Sequence, residues 1–147
     1  MEQWKFKAAD KLRDYKAQKA ALENLPDEIA RLKSEARSIK SATADGVAVA
    51  GGGSQREERL LSNIVKREEL KEALRRAKLA TDMVERGLEV LDKAERRVLE
   101  AMYIEREPGA VEKLADEFGL EDARSVYKRA DKALRHFTIA LYGLTEA

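Results

Sequence analysis

The stretch AVEKLADEFGLEDARSVYKRADKALRHFTIALYG, residues 110–143, decides the fold. Its first part predicts a helix over Ala110–Phe118 that buries Val111, Leu114, Ala115 and Phe118, a 3-1-3 spacing confined to one helical face. Gly119 follows four residues after Ala115, where the chain must leave the helix and turn sharply, and glycine takes a positive φ there without a steric penalty. Asp122 is placed to cap a second helix by accepting from its free N–H groups. That helix buries Val126, Ala130, Ala133, Leu134, Phe137 and Leu141 along one stripe. Two helices joined in this way form the pattern of a helix-turn-helix.

The opposite face of the second helix carries the functional signal. At about 100° per residue, Arg124, Lys128 and Arg135 fall within about 40° of one another, away from the Val126–Phe137 stripe. Ser125 and Lys132 flank that line, and Tyr127 and Arg129 stand at its borders. From Arg124 to His136 there are five Lys or Arg against one acid, Asp131, whereas the preceding helix and turn carry Glu112, Asp116, Glu117, Glu121 and Asp122 against Lys113 alone. A basic face by itself is also what a solvated amphipathic helix displays. Joined to the turn pattern, it predicts a recognition helix for a DNA major groove. The expected DNA-binding residues are Arg124, Ser125, Tyr127, Lys128, Arg129, Lys132 and Arg135. Arg124 and Lys128 are the expected base readers, Ser125 and Lys132 the expected phosphate contacts, and Arg135 a contact further along the backbone.

Composition sets the frame around this stretch. The chain has 147 residues, 39% of them charged and 44% hydrophobic, with few aromatics and two prolines, as expected of long helices. A net charge of +1 supplies no global attraction to nucleic acid, so the DNA reading rests on local charge sorting. There are no cysteines, which excludes disulfides and thiolate metal sites. Trp4 and Phe6 sit among Lys5, Lys7 and Asp10, so no signal peptide is expected. No apolar run reaches the length of a membrane span, and a cytoplasmic location is expected.

Two heptad segments precede the C-terminal region. In residues 3–40, Leu22, Leu25, Ile29, Leu32, Ala36 and Ile39 step by three and four, and the register extends back through Tyr15, Ala8 and Trp4, with Gln18 and Lys11 as weak positions. Pro26 predicts a kink or short break there. Residues 41–54, SATADGVAVAGGGS, predict a flexible loop, with Val47 and Val49 near its tip. In residues 55–91 a second heptad runs through Leu70, Leu74, Ala77, Thr81, Val84, Leu88 and Leu91, with Leu60 in register and Leu61 and Ile64 beside it. Two matched heptads with one loop between them predict a long antiparallel, coiled-coil-like hairpin. Such a rod buries little by itself, which predicts a homodimer through the hairpin or another protein held by it.

The expected domain boundary falls at residues 91 and 92, dividing a hairpin domain, 1–91, from a DNA-binding domain, 92–147. Asp92 and Glu95 make a capping-box-like start. The helix that follows, 92–104, is expected to bury Val98, Leu99, Met102 and Tyr103, and Glu107-Pro108-Gly109 leads on to the helix-turn-helix. The fold class expected is therefore all-α: a long helical hairpin followed by a three-helix helix-turn-helix domain.

The segments LDKAERRVLEAMYI, VEKLADEFGL and SVYKRADKALRHF resemble region 4 of the σ70 family, which reads the −35 promoter element. In that pattern an ERxVL helix precedes the helix-turn-helix and an Ala-Leu pair, here Ala133-Leu134, closes the recognition helix. The turn from Gly119 to Val126 is one residue longer than the usual one. Over most of the chain the similarity is to the ArpU/RinA-type late-gene regulators of Gram-positive phages, in the GGGS loop before REERLL, the EPGAVEKLA approach and the SVYKRADKALRHFTIALYG ending. This resemblance implies a phage or prophage protein acting in the bacterial host, which turns on packaging, morphogenesis and lysis genes.

Catalysis and metal binding find little support. His136 is the single histidine and has no ligand-type residues at metal spacing, so no metal site is expected. GGGS lacks the Lys-Ser/Thr of a phosphate cradle, and Ser125 has no histidine placed as its base. No enzyme and no cofactor are expected. Two classes remain. One is a promoter-binding activator or partial σ-like factor, with double-stranded DNA and host RNA polymerase as partners. The other is a DNA-packaging protein such as a small terminase subunit.

Overall fold

In this structure, a computed structural model, residues 3–44 and 52–143 are described, and all regular structure among them is helical. Five α-helices follow in order: α1 (Gln3–Ala44), α2 (Gly52–Glu89), α3 (Lys93–Leu99), α4 (Ala110–Phe118) and α5 (Ala123–Tyr142). A π-helical turn, Glu100–Ile104, continues α3. The chain divides into two compact units, one of Met1–Gln18 with Leu79–Ala147 and the other of Lys19–Lys78.

This division differs from the expected boundary at residues 91 and 92. The first unit has a core built from both ends of the chain: Trp4, Ala8 and Leu12 of α1, Val84, Leu88 and Leu91, Leu99 and Ile104, and Ala133, Leu134 and Phe137 of α5. The first turns of α1 and the last turns of α2 therefore complete the C-terminal unit. Three short helices alone would leave Leu134 and Phe137 without this cover, and burying each such side chain contributes about 1.5–3 kcal/mol. Leu12 is fully buried although the backward-extrapolated heptad passed through Lys11 and missed it. Trp4, Ala8 and Leu12 step by four each time, a drift of about 40° per step that a 3.5-residue register does not follow. A second cluster, Val98, Ala101, Leu114, Val126 and Ala130, joins α3, α4 and α5.

Gly87 in α2 permits a close approach of α5. A Cβ placed on it would lie 2.7 Å from Phe137 Cε2 and 3.0 Å from Leu141 Cδ2. Where α2 ends, the Leu88 carbonyl accepts from Leu91 N–H at 3.2 Å and also from the Arg96 guanidinium at 2.9 and 3.3 Å, so the side chain adds to the closing turn. The Asp92–Glu95 capping box forms in both directions: Glu95 N–H donates to Asp92 at 2.8 Å, and Asp92 N–H to Glu95 at 3.5 Å. Past Leu99 the expected α-helix widens. Glu105 N–H donates to Glu100 O at 2.7 Å, five residues back, which carries Ala101 and Ile104 inward and leaves Met102 and Tyr103 half-buried. Arg106, at φ 51°, ends the turn in left-handed conformation.

In the second unit, Ile29, Leu32, Ala36 and Ile39 of α1 are buried in the expected register. Asn63 of α2 is buried as well; its amide donates to the Leu32 carbonyl at 2.8 Å and its carbonyl accepts from Arg67 at 2.8 Å. Lys66 lies close enough to Glu28 to lower that carboxyl below its ordinary value, secondarily to the hydrogen bond from Arg31. Leu61, Ile64 and Val65 face outward. No break occurs at Pro26: α1 is one helix across it, and the proline itself is exposed. The apolar stripe resumes at Ile29 in the same register, so packing on both sides sustains the helix despite the missing donor. The expected loop at 41–54 is shorter than its composition suggested, because α1 runs to Ala44 and α2 starts at Gly52; Val47 and Val49 lie outside the described residues. Extending an existing helix costs far less than nucleating one, so small residues at its end join it.

Candidate nucleic-acid interface

The segment between α4 and α5 is built as its sequence implies. Gly119 adopts φ 65°, and its N–H and that of Leu120 turn back onto α4, Leu120 N–H donating to Ala115 O at 2.8 Å. Asp122, in extended conformation, accepts from Ser125 N–H at 2.9 Å. Its carboxyl is held below the ordinary value, first by that backbone bond, then by the Ser125 hydroxyl and by the charge of Lys128.

Beyond this cap, Val126, Ala130, Ala133, Leu134 and Phe137 are buried as expected, with Thr138 added; Thr138 is satisfied by its hydroxyl donating to Leu134 O at 2.7 Å. Leu141 is half-buried. The orientation of α5 therefore leaves Arg124, Tyr127, Lys128, Arg129, Lys132 and Arg135 exposed, and Ser125 half-buried.

These side chains do not stand in equivalent surroundings. Arg124, Lys128 and Arg135 make no ion pair among the described residues, and each is exposed on the face away from the core. Arg129 lies over the Phe118 ring, 5.0 Å from its centroid, and thereby ties α5 to α4. Lys132 borders a cleft with Asp92 and Glu95, and its charge helps to lower the Asp92 carboxyl. His136, next along that side, pairs with Glu95. Ser125 donates its hydroxyl to Asp122 Oδ1 at 3.0 Å, so its proton is engaged in capping. Tyr127 is 53% exposed.

Two contributors had no signal in sequence spacing. Lys5 of α1 reaches Asp131 with Nζ–Oδ2 at 2.9 Å, across 126 positions. Arg97 of α3 spans Glu107 at 3.0 Å and Glu117 at 2.8 Å, joining the approach to α4 with its C-terminal turn. That pairing, with Glu117 first, raises the Arg97 guanidinium further above its ordinary value and lowers the Glu117 carboxyl. Arg97 thus fixes α4, on which α5 rests through Leu114 and Val126.

No family model matches the chain, and neither does any curated protein or solved structure. Among the described residues there is no cluster of three or more His, Asp or Glu placed to hold a metal ion, and no helix is long and apolar enough to cross a membrane.

Proposed function

We propose that this chain is a sequence-specific DNA-binding transcriptional regulator that grips double-stranded DNA with α5. The observation that carries the reading is the capped, cationic face of that helix. Arg124, Lys128 and Arg135 project from the side opposite the buried Val126–Phe137 stripe and have no intramolecular ion pair among the described residues. An amphipathic helix held rigidly by its apolar side presents such a face to a polyanion without reorganisation. The helix before it is acidic, so the attraction is concentrated on one element.

The resemblance to σ70 region 4 and to ArpU/RinA-type phage regulators gives this DNA grip a context: an activator or partial σ-like factor of late genes, working with host RNA polymerase. In that reading α1 and α2 form a coiled-coil-like hairpin that dimerises or touches the polymerase. The Asn63–Leu32 bond and the nearness of Lys66 to Glu28 support antiparallel pairing, since one helix is ascended as the other is descended. A small terminase subunit is the second reading, and a ring of many copies in sedimentation would favour it.

The deciding experiment is titration of the full chain against duplex DNA over a range of salt. Binding should weaken steeply with salt, and Arg135→Ala should reduce the log–log slope by about 1 per lost phosphate contact. Absence of duplex binding at low salt sinks the proposal.

A further inference from the structure

Asp131 is the one acid among the cations of α5 between Arg124 and His136. It follows Lys128 by three residues and precedes Arg135 by four, spacings at which a helical carboxylate normally pairs with a neighbouring cation. Among the described residues it pairs with neither. Its Oδ2 instead bonds the Lys5 ammonium at 2.9 Å. Trp4, buried in the core with Leu134 and Phe137, anchors the first turn of α1 there, and the Lys5 nitrogen lies 5.6 Å from the centroid of its ring. The Lys5 side chain is only 22% exposed, so the ammonium is held in place and does not sweep through solvent.

We infer that Lys5 is a positioning residue of the duplex-binding surface: it draws the Asp131 carboxylate away from Lys128 and Arg135 and cancels a charge that would repel the phosphodiester backbone. The inference rests on the reading of α5 as the DNA-gripping helix. It makes the first turn of α1 part of the interface without requiring it to touch DNA. When Lys5 is lost, Asp131 can close onto either cation of its own helix, and each pairing removes one charge from the face offered to phosphate.

The test is a double-mutant cycle on the full chain, read by fluorescence anisotropy with a labelled duplex at low salt. Lys5→Gln should weaken binding roughly two- to fivefold, the scale of one charge acting across water at short range. Lys5→Arg should restore it. Asp131→Asn should abolish most of the effect of Lys5→Gln, because no carboxylate is then left to close onto Lys128 or Arg135. Unchanged affinity in Lys5→Gln overturns the inference. So does an equal loss in both backgrounds, which would place Lys5 on a phosphate directly. Melting curves of each variant separate lost charge from an undocked α1: a Lys5→Gln loss that follows a lower melting temperature and persists beside Asp131→Asn also counts against it. A wild-type chain that binds no duplex overturns the functional reading itself, a result distinct from binding with zero coupling.

Discussion

Gly87 of α2 and Phe137 of α5 meet so closely that a methyl group on the glycine would fall 2.7 Å from the ring. Phe137 is fully buried, with Leu88, Leu134 and Leu99 in the same cluster, so displacing the ring disturbs its neighbours. Replacing Gly87 by alanine gains about 1 kcal/mol of helix propensity. Overpacking costs typically 1–3 kcal/mol, and a rigid aromatic face lies at the upper end. Gly87→Ala should therefore destabilise the first unit by about 1–2 kcal/mol in chemical denaturation. A variant more stable than the wild type would show that the ring can yield.

Leu12 gives a second expectation. It is fully buried in the core that also holds Trp4, the only tryptophan, so its loss is visible in that residue's fluorescence. Leu12→Ala should cost about 2–5 kcal/mol, the range for large-to-small core replacements. The fluorescence transition should move to lower denaturant. Were α1 only a free rod at this end, the substitution would leave the tryptophan transition where it is.

How far the sequence could be read turns on the range of each signal. Gly119, Asp122 and the Asp92–Glu95 box act within four residues, and each takes the conformation its chemistry dictates. The stripe on α5 was equally legible, because periodicity reports which side of a helix is buried. Periodicity does not report what covers it. Trp4, Ala8 and Val84 lie on heptads like those of the second unit, yet they pack with Phe137. The Lys5–Asp131 pair depends on that docking and has no local trace. Asn63 is hidden for a different reason: a polar residue inside an apolar seam looks like an exposed one until its partner, the Leu32 carbonyl, is known. The π turn at Glu100–Ile104 moved burial from Met102 and Tyr103 to Ala101 and Ile104, a phase change that assumes no particular composition. On α5 the cationic face was legible, but the engagement of Ser125 with Asp122 and of Arg129 with Phe118 was not.

Acid should loosen the first unit through its caps. Asp92 is depressed first by its bond from Glu95 N–H, Asp122 by that from Ser125 N–H, and Glu117 by Arg97. A carboxyl whose folded value lies below its unfolded one stabilises the fold above the unfolded value and loses that contribution as pH falls through the folded one. Melting temperature should therefore drop as pH falls below about 4, where unperturbed carboxyls begin to protonate. The drop should be smaller in an Asp92→Asn, Asp122→Asn double variant, whose caps have no charge to lose. An identical acid profile for variant and wild type would remove these caps from the account.

Alkali offers the opposite sign at Tyr15. Burial and the hydrogen bond its hydroxyl donates to Glu85, at 2.8 Å, push it up to about 12. An acid raised in the folded state stabilises below its unfolded value, about 10, and that contribution disappears as pH rises towards 12. Ultraviolet titration should show one of the four tyrosines ionising last, near the pH at which the first unit unfolds. Tyr15→Phe should remove that late step. A late step that survives the substitution would belong to another tyrosine, such as Tyr103, which burial also raises.

If α5 grips DNA as proposed, base contacts are expected from its amino-terminal end, where Arg124 and Lys128 stand one turn apart and exposed. Arginine can bond a guanine edge with two parallel hydrogen bonds, whereas lysine supplies a mobile point charge. Loss of Arg124 should therefore cost about 1–3 kcal/mol on the preferred site and relax selection at one base pair, with less effect on other sequences. Lys128 helps through its charge to depress the Asp122 carboxyl, so part of that charge is already answered within the protein. Its replacement should blur preference less than that of Arg124. Selection from a randomised duplex pool with wild type, Arg124→Ala and Lys128→Ala measures both effects. If the two variants return the wild-type preference and differ only in overall affinity, both side chains contact phosphates and the bases are read elsewhere.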